Sequence, residues 1–196
     1  MKQLLFYATF LCGFLTFAQV GIGTTNPSAE LEVNSTASGL PTLQLNPQTT
    51  PVGSAAGQIS VIGDRLYLFD ATRSKWLTVE SSTVTFGLEG DLNNKNLEYA
   101  GDIQNNGPNM PYNGTVVYAA INSSGGSLTK GITLEVYNSL RNLIQTHNYN
   151  LVDGRLLLTD LNIDFSAGDY FLVKVDDDTT GSVKDVSMVI WSKWRQ

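Results

Sequence analysis

The sequence predicts an all-β protein, in which a short β-hairpin segment precedes an antiparallel, jelly-roll-like β-sandwich. Three observations predict this class. Many short runs alternate apolar and polar residues, as in GITLEVYN and DYFLVKV. Turn-forming residues separate these runs at intervals of about eight to twelve residues. No stretch has the apolar period of a helix. Many short strands with frequent turns are typical of sandwiches and jelly rolls.

The first 18 residues have the features of a secretory signal peptide. Lys2 is followed by the apolar run LLFYATFLCGFLTFA, and the small residue Ala18 precedes Gln19. The run is too short to span a bilayer, so we expect cleavage after Ala18; an uncleaved anchor is the alternative. Cleavage also removes Cys12, the only cysteine, which excludes an internal disulfide and a cysteine-based zinc site.

The charge balance disfavours anionic partners. The chain has 12 basic and 18 acidic residues, and loss of Lys2 makes the net charge more negative than −6. An acidic surface repels phosphate backbones and anionic lipids. From the signal peptide we expect an exported protein of the cell surface or extracellular space, with the periplasm as the alternative. It would bind no nucleic acid and would not insert directly into a membrane.

Residues 19–80 form the first predicted segment of the mature chain, which is rich in Gly, Pro and Thr. The run QISVIGDRLYLFDATRSKWLTV predicts two strands joined at Gly63 and a third strand after a turn at residues 70–74. Gly63 suits the positive φ that a tight hairpin turn requires.

The beginning of this segment has little apolar mass. In its short runs VGI and LEV, the apolar side chains of Val20, Ile22, Leu31 and Val33 need another surface to bury them. Strands this short are marginal in water on their own. Three symmetric copies meeting on an axis would supply that cover. Packing onto the sandwich of the same chain is the alternative, and the residues alone leave both open.

Residues 81–196 form the predicted sandwich, with strands at TVVYAAIN, GITLEVYN, GRLLLTDL, DYFLVKV and KDVSMVIWSKW. The runs NSSGG, VDG and DDDTTGS are predicted turns. Alternation sends one side of each strand toward the core. The predicted core positions are Ile132, Leu134, Val136, Phe171, Val173, Val175, Val186, Met188 and Ile190.

Two parts of the chain resemble a known family. VGIGTTNPSAELEV resembles the Val-Gly-Ile-Gly-Thr-x-x-Pro-x-Ala-x-Leu-x-Val module at the start of many exported tail-fibre-like proteins, which occur in bacteria with type IX secretion. FDATRSKWLTVESSTVTFG resembles the beginning of the terminal domain of such fibres. MPYNGTV and FSAGDYFLV are similar to stretches inside that domain.

The resemblance implies a homotrimer at the cell surface, with residues 19–80 as a trimerisation or stalk segment and residues 81–196 as a head comparable to complement-C1q and tumour-necrosis-factor heads. It makes Val20, Ile22, Leu31 and Val33 trimer-interface candidates. The sequence departs from the family in having no Gly-X-Y run or long stalk before the head and no sorting domain of the type IX kind after it. We therefore expect that the protein reaches the surface by another route or with a partner.

Motifs for catalysis are missing from the sequence. His147, the only histidine, lies beside a predicted turn, and we interpret it as a solvated loop residue. HExxH, GxSxG, a phosphate-binding glycine loop and a Cys/His cluster are all absent. We expect no enzymatic activity and no cofactor, although sequence leaves open a pair of carboxylates brought together by the fold, as in glycosidases.

The acidic run at residues 176–178 offers carboxylates to calcium, but it lacks the spacing of a calcium loop, and a solvated turn is the favoured interpretation. Thr179, within DTT, resembles the O-glycosylation sequon of exported proteins in these bacteria. The short pattern makes Thr179 a candidate for that modification.

Aromatic residues are the other candidates for binding. Trp191, Trp194, Tyr112 and Tyr118 have rings able to stack on sugars, but burial or a subunit interface is the commoner use of such side chains. We interpret Trp76 as packing between the first segment and the head.

Together these features predict a non-enzymatic, exported binding or structural module. We expect the homotrimeric tip, or an accessory subunit, of a surface adhesin or fibre. Its expected partners are copies of itself, then a larger adhesin or outer-membrane anchor protein, and a glycan. A monomeric carbohydrate-binding protein or polysaccharide-active enzyme is the alternative.

Overall fold

The described part of the chain is all-β, as predicted. The computed structural model describes residues 20–22, 25, 29, 31–35, 39–127, 129–177 and 181–196. These residues contain 14 β-strands and no α-helix, and none of them belongs to a helix with the length and apolarity needed to cross a membrane. The chain divides into two compact units, residues 1–46 and residues 47–196.

The described residues of the first unit include a pair of very short strands, β1 (Val20–Ile22) and β2 (Leu31–Val33). They pair in parallel, with Ile22 opposite Val33, so they do not form a hairpin. The backbone N–H of Asn34 extends the pairing by donating to the carbonyl of Ile22 at 2.8 Å.

The second unit begins with an antiparallel meander of three strands, β3 (Ile59–Ile62), β4 (Arg65–Asp70) and β5 (Lys75–Thr78). Gly63 takes a φ of 61° in the turn between β3 and β4. The hairpin, its glycine turn and the third strand are therefore where the sequence predicted them. The predicted boundary near residue 80 between segment and head remains a prediction.

A two-sheet sandwich follows the meander in the same unit. One sheet has the order β11–β8–β14–β6, with β12 also paired to β8, and the other has the order β10–β9–β13–β7. We call them the β8–β14 sheet and the β9–β13 sheet. The strands are β6 (Ser82–Leu92), β7 (Lys95–Asn96), β8 (Gly114–Gly126), β9 (Lys130–Tyr137), β10 (Leu143–Leu151), β11 (Arg155–Leu158), β12 (Ile163–Phe165), β13 (Tyr170–Val175) and β14 (Val183–Trp194).

The hydrophobic core of this unit belongs to the two sheets of the sandwich. All nine positions predicted to face the core are at most 1% exposed. Phe165 and Phe171 meet edge to face there, with ring centroids 5.2 Å apart. The alternation seen in the sequence therefore predicts the inward face of these strands correctly.

One predicted turn is wrong. The NSSGG run is the last part of β8, where Ser123 pairs with Val186 and Gly126 pairs with Val183. The β8–β14 register is continuous here, while the pairing of β14 with β6 shifts between residues 184 and 186, where Asp185 takes a φ of 47°. Pairing with a distant strand overrides the local preference of Ser and Gly for turns.

The side chain of Arg73 forms hydrogen bonds that link the meander to the sandwich. Its side chain is 12% exposed and pairs with Asp70 at 2.7 Å. It also donates to the backbone carbonyl of Leu161 at 2.6 Å and to that of Val117 at 3.1 Å. One guanidinium thereby bonds a carboxylate and the carbonyls of two other segments through separate nitrogens, a spread of donors that the compact ammonium of a lysine does not match.

We predict that Arg73→Ala lowers the free energy of unfolding by about 2–3 kcal/mol, because it leaves partly buried carbonyls and a carboxylate without their charged donor. Urea unfolding followed by tryptophan fluorescence measures this. Arg155→Ala, which removes an exposed arginine on β11, is the control and should cost less than about 0.5 kcal/mol. Equal effects of the two substitutions would contradict this role of Arg73.

Candidate functional site

The outer surface of the β8–β14 sheet carries an exposed apolar patch, built by strand register. Val189 lies opposite Ala120, and Ala120 lies opposite Leu157. One row away, Trp191 lies opposite Tyr118. Because Met188 and Ile190 point into the core, alternation sends these five side chains outward. We call the patch formed by Tyr118, Ala120, Leu157, Val189 and Trp191 the apolar face.

The rings of Tyr118 and Trp191 pack against each other on this face. Their centroids are 6.2 Å apart in a T-shaped arrangement. Tyr118 remains 41% exposed and Leu157 63% exposed, while Trp191 is half-buried. None of the five side chains carries a charge, and such depletion of charge is typical of the centre of a protein interface.

The outer surface of the β9–β13 sheet is polar by comparison. There Thr133 donates to the carboxylate of Asp176 at 2.7 Å, and Tyr137 donates to Glu135 at 2.9 Å. Burial raises the pKa of Tyr137, and the hydrogen bond to Glu135 raises it further. The two outer surfaces therefore differ in chemistry: one has its polar groups paired, and the other leaves apolar groups in water.

Trp194 lies apart from the apolar face. Its ring packs edge to face on Tyr112, with centroids 5.5 Å apart, and also contacts Phe165. Arg65 of the meander lies over the Tyr112 ring, 3.9 Å from its centroid, which is a cation–π contact. Tyr112 and Trp194 therefore serve packing within the second unit, and Trp194 also lines a groove beside β6.

Trp76 is a buried packing residue of the meander. Its ring is 8% exposed and meets Phe69 edge to face, with centroids 5.4 Å apart. Its indole N–H donates to the carbonyl of Pro51 at 2.9 Å. Gly53 lies under the Phe69 ring, where a Cβ would come within 1.9 Å of a ring carbon. The close approach explains glycine at that position.

Asp164 is the most heavily bonded carboxylate near these aromatic residues. It accepts from Lys75 at 2.6 Å and from Thr115 at 2.7 Å, and Arg195 lies 3.6 Å away. Burial alone would raise the pKa of Asp164. The hydrogen bonds from Lys75 and Thr115 and the charges of both cations outweigh burial, so the pKa lies below its usual value.

The trimer-interface candidates of the first unit carry exposed apolar side chains where the structure describes them. Ile22 is 57% exposed and Leu31 is 61% exposed, whereas Val33 is half-buried. The side chain of Val20 lies outside the described residues. Leu40 and Leu43, further along the same unit, are 68% and 67% exposed.

The remaining candidates form no catalytic or metal-binding group in the described ranges. His147 lies within β10 rather than in a loop, so that interpretation was wrong; it is half-buried, and burial lowers its pKa. Thr179 and Asp178 lie outside the described residues, while Asp176 and Asp177 are described. Across the described part of the chain, no group of three or more His, Cys, Asp or Glu side chains is placed to hold a metal ion.

Sequence reasoning found Tyr118 and Trp191 but missed Ala120, Leu157 and Val189, which complete the apolar face. A signal for one of them, Val189, was present. Val189 and Trp191 alternate with the predicted core positions of β14, so the same pattern sends both outward. The rows that join them to β8 and β11 depend on strand register, which alternation within one strand does not reveal.

Comparisons with known proteins add no argument about fold or function. No family model matches the chain, and no curated protein matches it significantly. Similar solved structures include an exo-β-1,3-galactanase from Phanerochaete chrysosporium with galactose (12% identity, 67% of this chain, 34% of that chain, TM-score 0.33). Another is an arabinose-bound α-L-arabinofuranosidase (11% identity, 76% of this chain, 25% of that chain, TM-score 0.29). A third is infectious bursal disease virus (10% identity, 80% of this chain, 42% of that chain, TM-score 0.31). The chain spans less than half the length of each of these three, and the similarities carry no argument about function.

Asp164 makes stability depend on pH at the acid side. Because its pKa is lowered in the folded state, its contribution is fully present above the unfolded value of about 3.9. The contribution is lost as the pH falls through the folded pKa. We predict that Asp164→Asn costs about 1 kcal/mol at neutral pH, and that wild type and variant converge as the pH falls below about 3.9 toward the lower folded value.

Denaturant unfolding at a series of pH values measures this difference. Asp91→Asn, which alters a surface carboxylate 3.7 Å from Lys184 with 63% side-chain exposure, is the control and should change stability by less than about 0.5 kcal/mol. A difference between wild type and Asp164→Asn that stays constant with pH would contradict the prediction.

Proposed function

We propose that this chain is a non-enzymatic, exported, homotrimeric binding module that serves as the tip or an accessory subunit of a larger surface adhesin or fibre. The observation that carries the proposal is the apolar face. A contiguous, partly exposed apolar patch with two aromatic rings on the outer surface of a sheet favours contact with another protein surface. The polar outer surface of the β9–β13 sheet gives no such reason for association.

The first unit supplies a second reason for self-association. A parallel pair of three-residue strands buries too little surface to be stable alone. Ile22 and Leu31 are exposed within it, and three copies meeting on an axis would cover them. Cyclic symmetry would bring the same residues of each copy together, so one short sequence provides every contact.

Attachment by such a module would depend on its three copies of one binding site. Three copies of a weak site bind a repetitive surface far more firmly than one copy, because the second and third contacts form at high effective concentration. Export follows in this proposal from the predicted signal peptide, and retention at the surface requires a larger adhesin or an outer-membrane anchor protein as partner.

We predict that the chain beginning at Gln19 has the mass of three chains by light scattering after size exclusion. Charges placed on an interface are costly to bury. Val189→Lys with Trp191→Lys should therefore give single chains if the apolar face is the contact, and Ile22→Asp with Leu31→Asp should do so if the first unit is the contact. Thr146→Lys, on the exposed polar side of β10, is the control and should leave the mass unchanged.

A wild-type chain with the mass of one copy at micromolar concentration would overturn the trimer. Circular dichroism of each variant shows whether a loss of mass reflects unfolding rather than dissociation. A trimer that resists both pairs of substitutions would place the contact on other residues.

Glycan binding at the apolar face is a second candidate function, favoured by the adjacent rings of the exposed Tyr118 and the half-buried Trp191. Aromatic faces present a large apolar area of the kind that sugar rings stack upon. In this case the protein would bind glycans with the apolar face uncovered, which is incompatible with a trimer that buries it.

We predict that, if this second function holds, Tyr118→Ala weakens binding on a glycan array about tenfold, the loss of roughly 1.4 kcal/mol. Tyr112→Phe, which keeps its ring on Trp194 away from this face, is the control and should bind as wild type does. Release of reducing sugar from any bound glycan, abolished by one Asp or Glu substitution, would contradict the non-enzymatic proposal.

A further inference from the structure

Strand β6 has an open backbone edge. It lies at the end of its sheet and pairs with β14 on one side only. On the other side, Gly87 and Glu98 exchange two backbone hydrogen bonds of 2.9 Å. The N–H and C=O of Gly87 therefore point away from β14, and period-two alternation directs those of Thr83 and Thr85 the same way.

Thr83 and Thr85 have no partner for these groups in the part of the chain that the structure describes. Both residues are exposed. The segment STVTFG contains neither the lysine nor the proline with which natural proteins usually protect a free sheet edge. The unprotected stretch is therefore an available template for strand addition.

A groove of about 690 Å³ runs beside this edge, within the range of roughly 300–1,000 Å³ found for ligand sites. Its far wall includes Pro108, Met110 and Pro111. The prolines carry no N–H. The N–H of Met110 donates to Asp169, and its carbonyl accepts from Gly168, both at 2.7 Å. The wall thus has few free backbone groups to offer β6, and it faces the groove largely with apolar side chains.

An acidic hollow adjoins the groove at Gly87. Glu89, Glu98, Asp102 and Asp185 line it. The groove and the hollow are adjacent, because Gly87 and Glu98 line both of them. The hollow therefore lies next to Thr83–Thr85 along β6. Several negatively charged carboxylates at one end of a groove attract a cationic side chain.

We propose that the edge of β6 binds an extended peptide segment of a partner protein. The peptide adds as a strand along Thr83–Thr85, exchanging backbone hydrogen bonds, and places a Lys or Arg side chain in the acidic hollow. Such β-augmentation takes affinity from the main chain and specificity from side-chain sites. The inference does not depend on the trimer, because it uses the edge of the sheet and not the apolar face.

The groove favours a peptide over a second copy of this chain. A second sandwich that presented its own β6 would bring its own Pro108–Pro111 wall to the same place. The two walls would meet before the strands could pair. A single extended strand with no wall of its own fits between β6 and the facing segment.

Binding of a labelled probe peptide, acetyl-Lys-Thr-Val-Thr-Val-Thr-Lys-amide, tests the proposal by fluorescence anisotropy. Thr85→Pro removes an N–H that β14 does not use and should weaken binding at least about tenfold. Thr85→Val keeps the N–H and the shape of the side chain, and should bind within about twofold of wild type. A probe with Gln in place of both lysines should bind more weakly, as should the lysine probe to Glu89→Gln.

Hydrogen exchange of the wild-type protein provides a readout that does not depend on a substitution. The amides of Thr83 and Thr85 should exchange rapidly in the free protein and slow at least about tenfold with saturating probe, because each gains a hydrogen bond. The amides of Val84 and Phe86, which face β14, should be slow in both states.

Either of two hydrogen-exchange results would overturn the proposal. One is unchanged exchange at Thr83 and Thr85 with the probe at millimolar concentration. The other is slow exchange of both amides in the free protein that becomes fast on dilution, because that result would make a second copy the occupant of the edge. Equal binding of the probe to Thr85→Pro and Thr85→Val, with both variants folded by circular dichroism, would also exclude main-chain pairing at this strand.

Discussion

The pairing of β14 along both of its edges constrains the rest of the second unit. This strand lies between β6 and β8, and its inward residues Val186, Met188 and Ile190 are at most 1% exposed. A shift of one residue in its register would exchange the core side chains for Val189 and Trp191. The burial of one side therefore fixes the exposure of the other, and the apolar face is a consequence of how the core is made.

Elements whose signal is local could be predicted from the sequence. The alternation in β9, β13 and β14 predicts the core positions, and Gly63 marks the hairpin of the meander. Elements that depend on pairing with another strand could not be predicted. Such pairing sets the parallel arrangement of β1 and β2, the continuation of β8 through Ser123–Gly126 and the position of His147 inside β10.

The candidate sites also divide into features that the sequence identifies and features that depend on strand order. Trp76, Trp191 and Trp194 are one residue type in three environments: a buried contact with Phe69, an exposed sheet surface and a groove wall. Composition identifies aromatic residues worth attention, but strand order decides which of them reach the surface. The open edge of β6 has no sequence signal of its own, because STVTFG reads like any alternating strand until its neighbours are known.

The meander is joined to the end of β14 and also to β12. The backbone of Leu77 forms a bridge with Arg195, the N–H of Trp194 donates to the hydroxyl of Thr78 at 3.0 Å, and Lys75 pairs with Asp164. Tension that enters this unit through Pro47 would therefore be shared by several contacts rather than by one peptide connection. Under the proposed adhesin function this arrangement is an advantage, because these contacts must yield together before the sandwich carries the load alone.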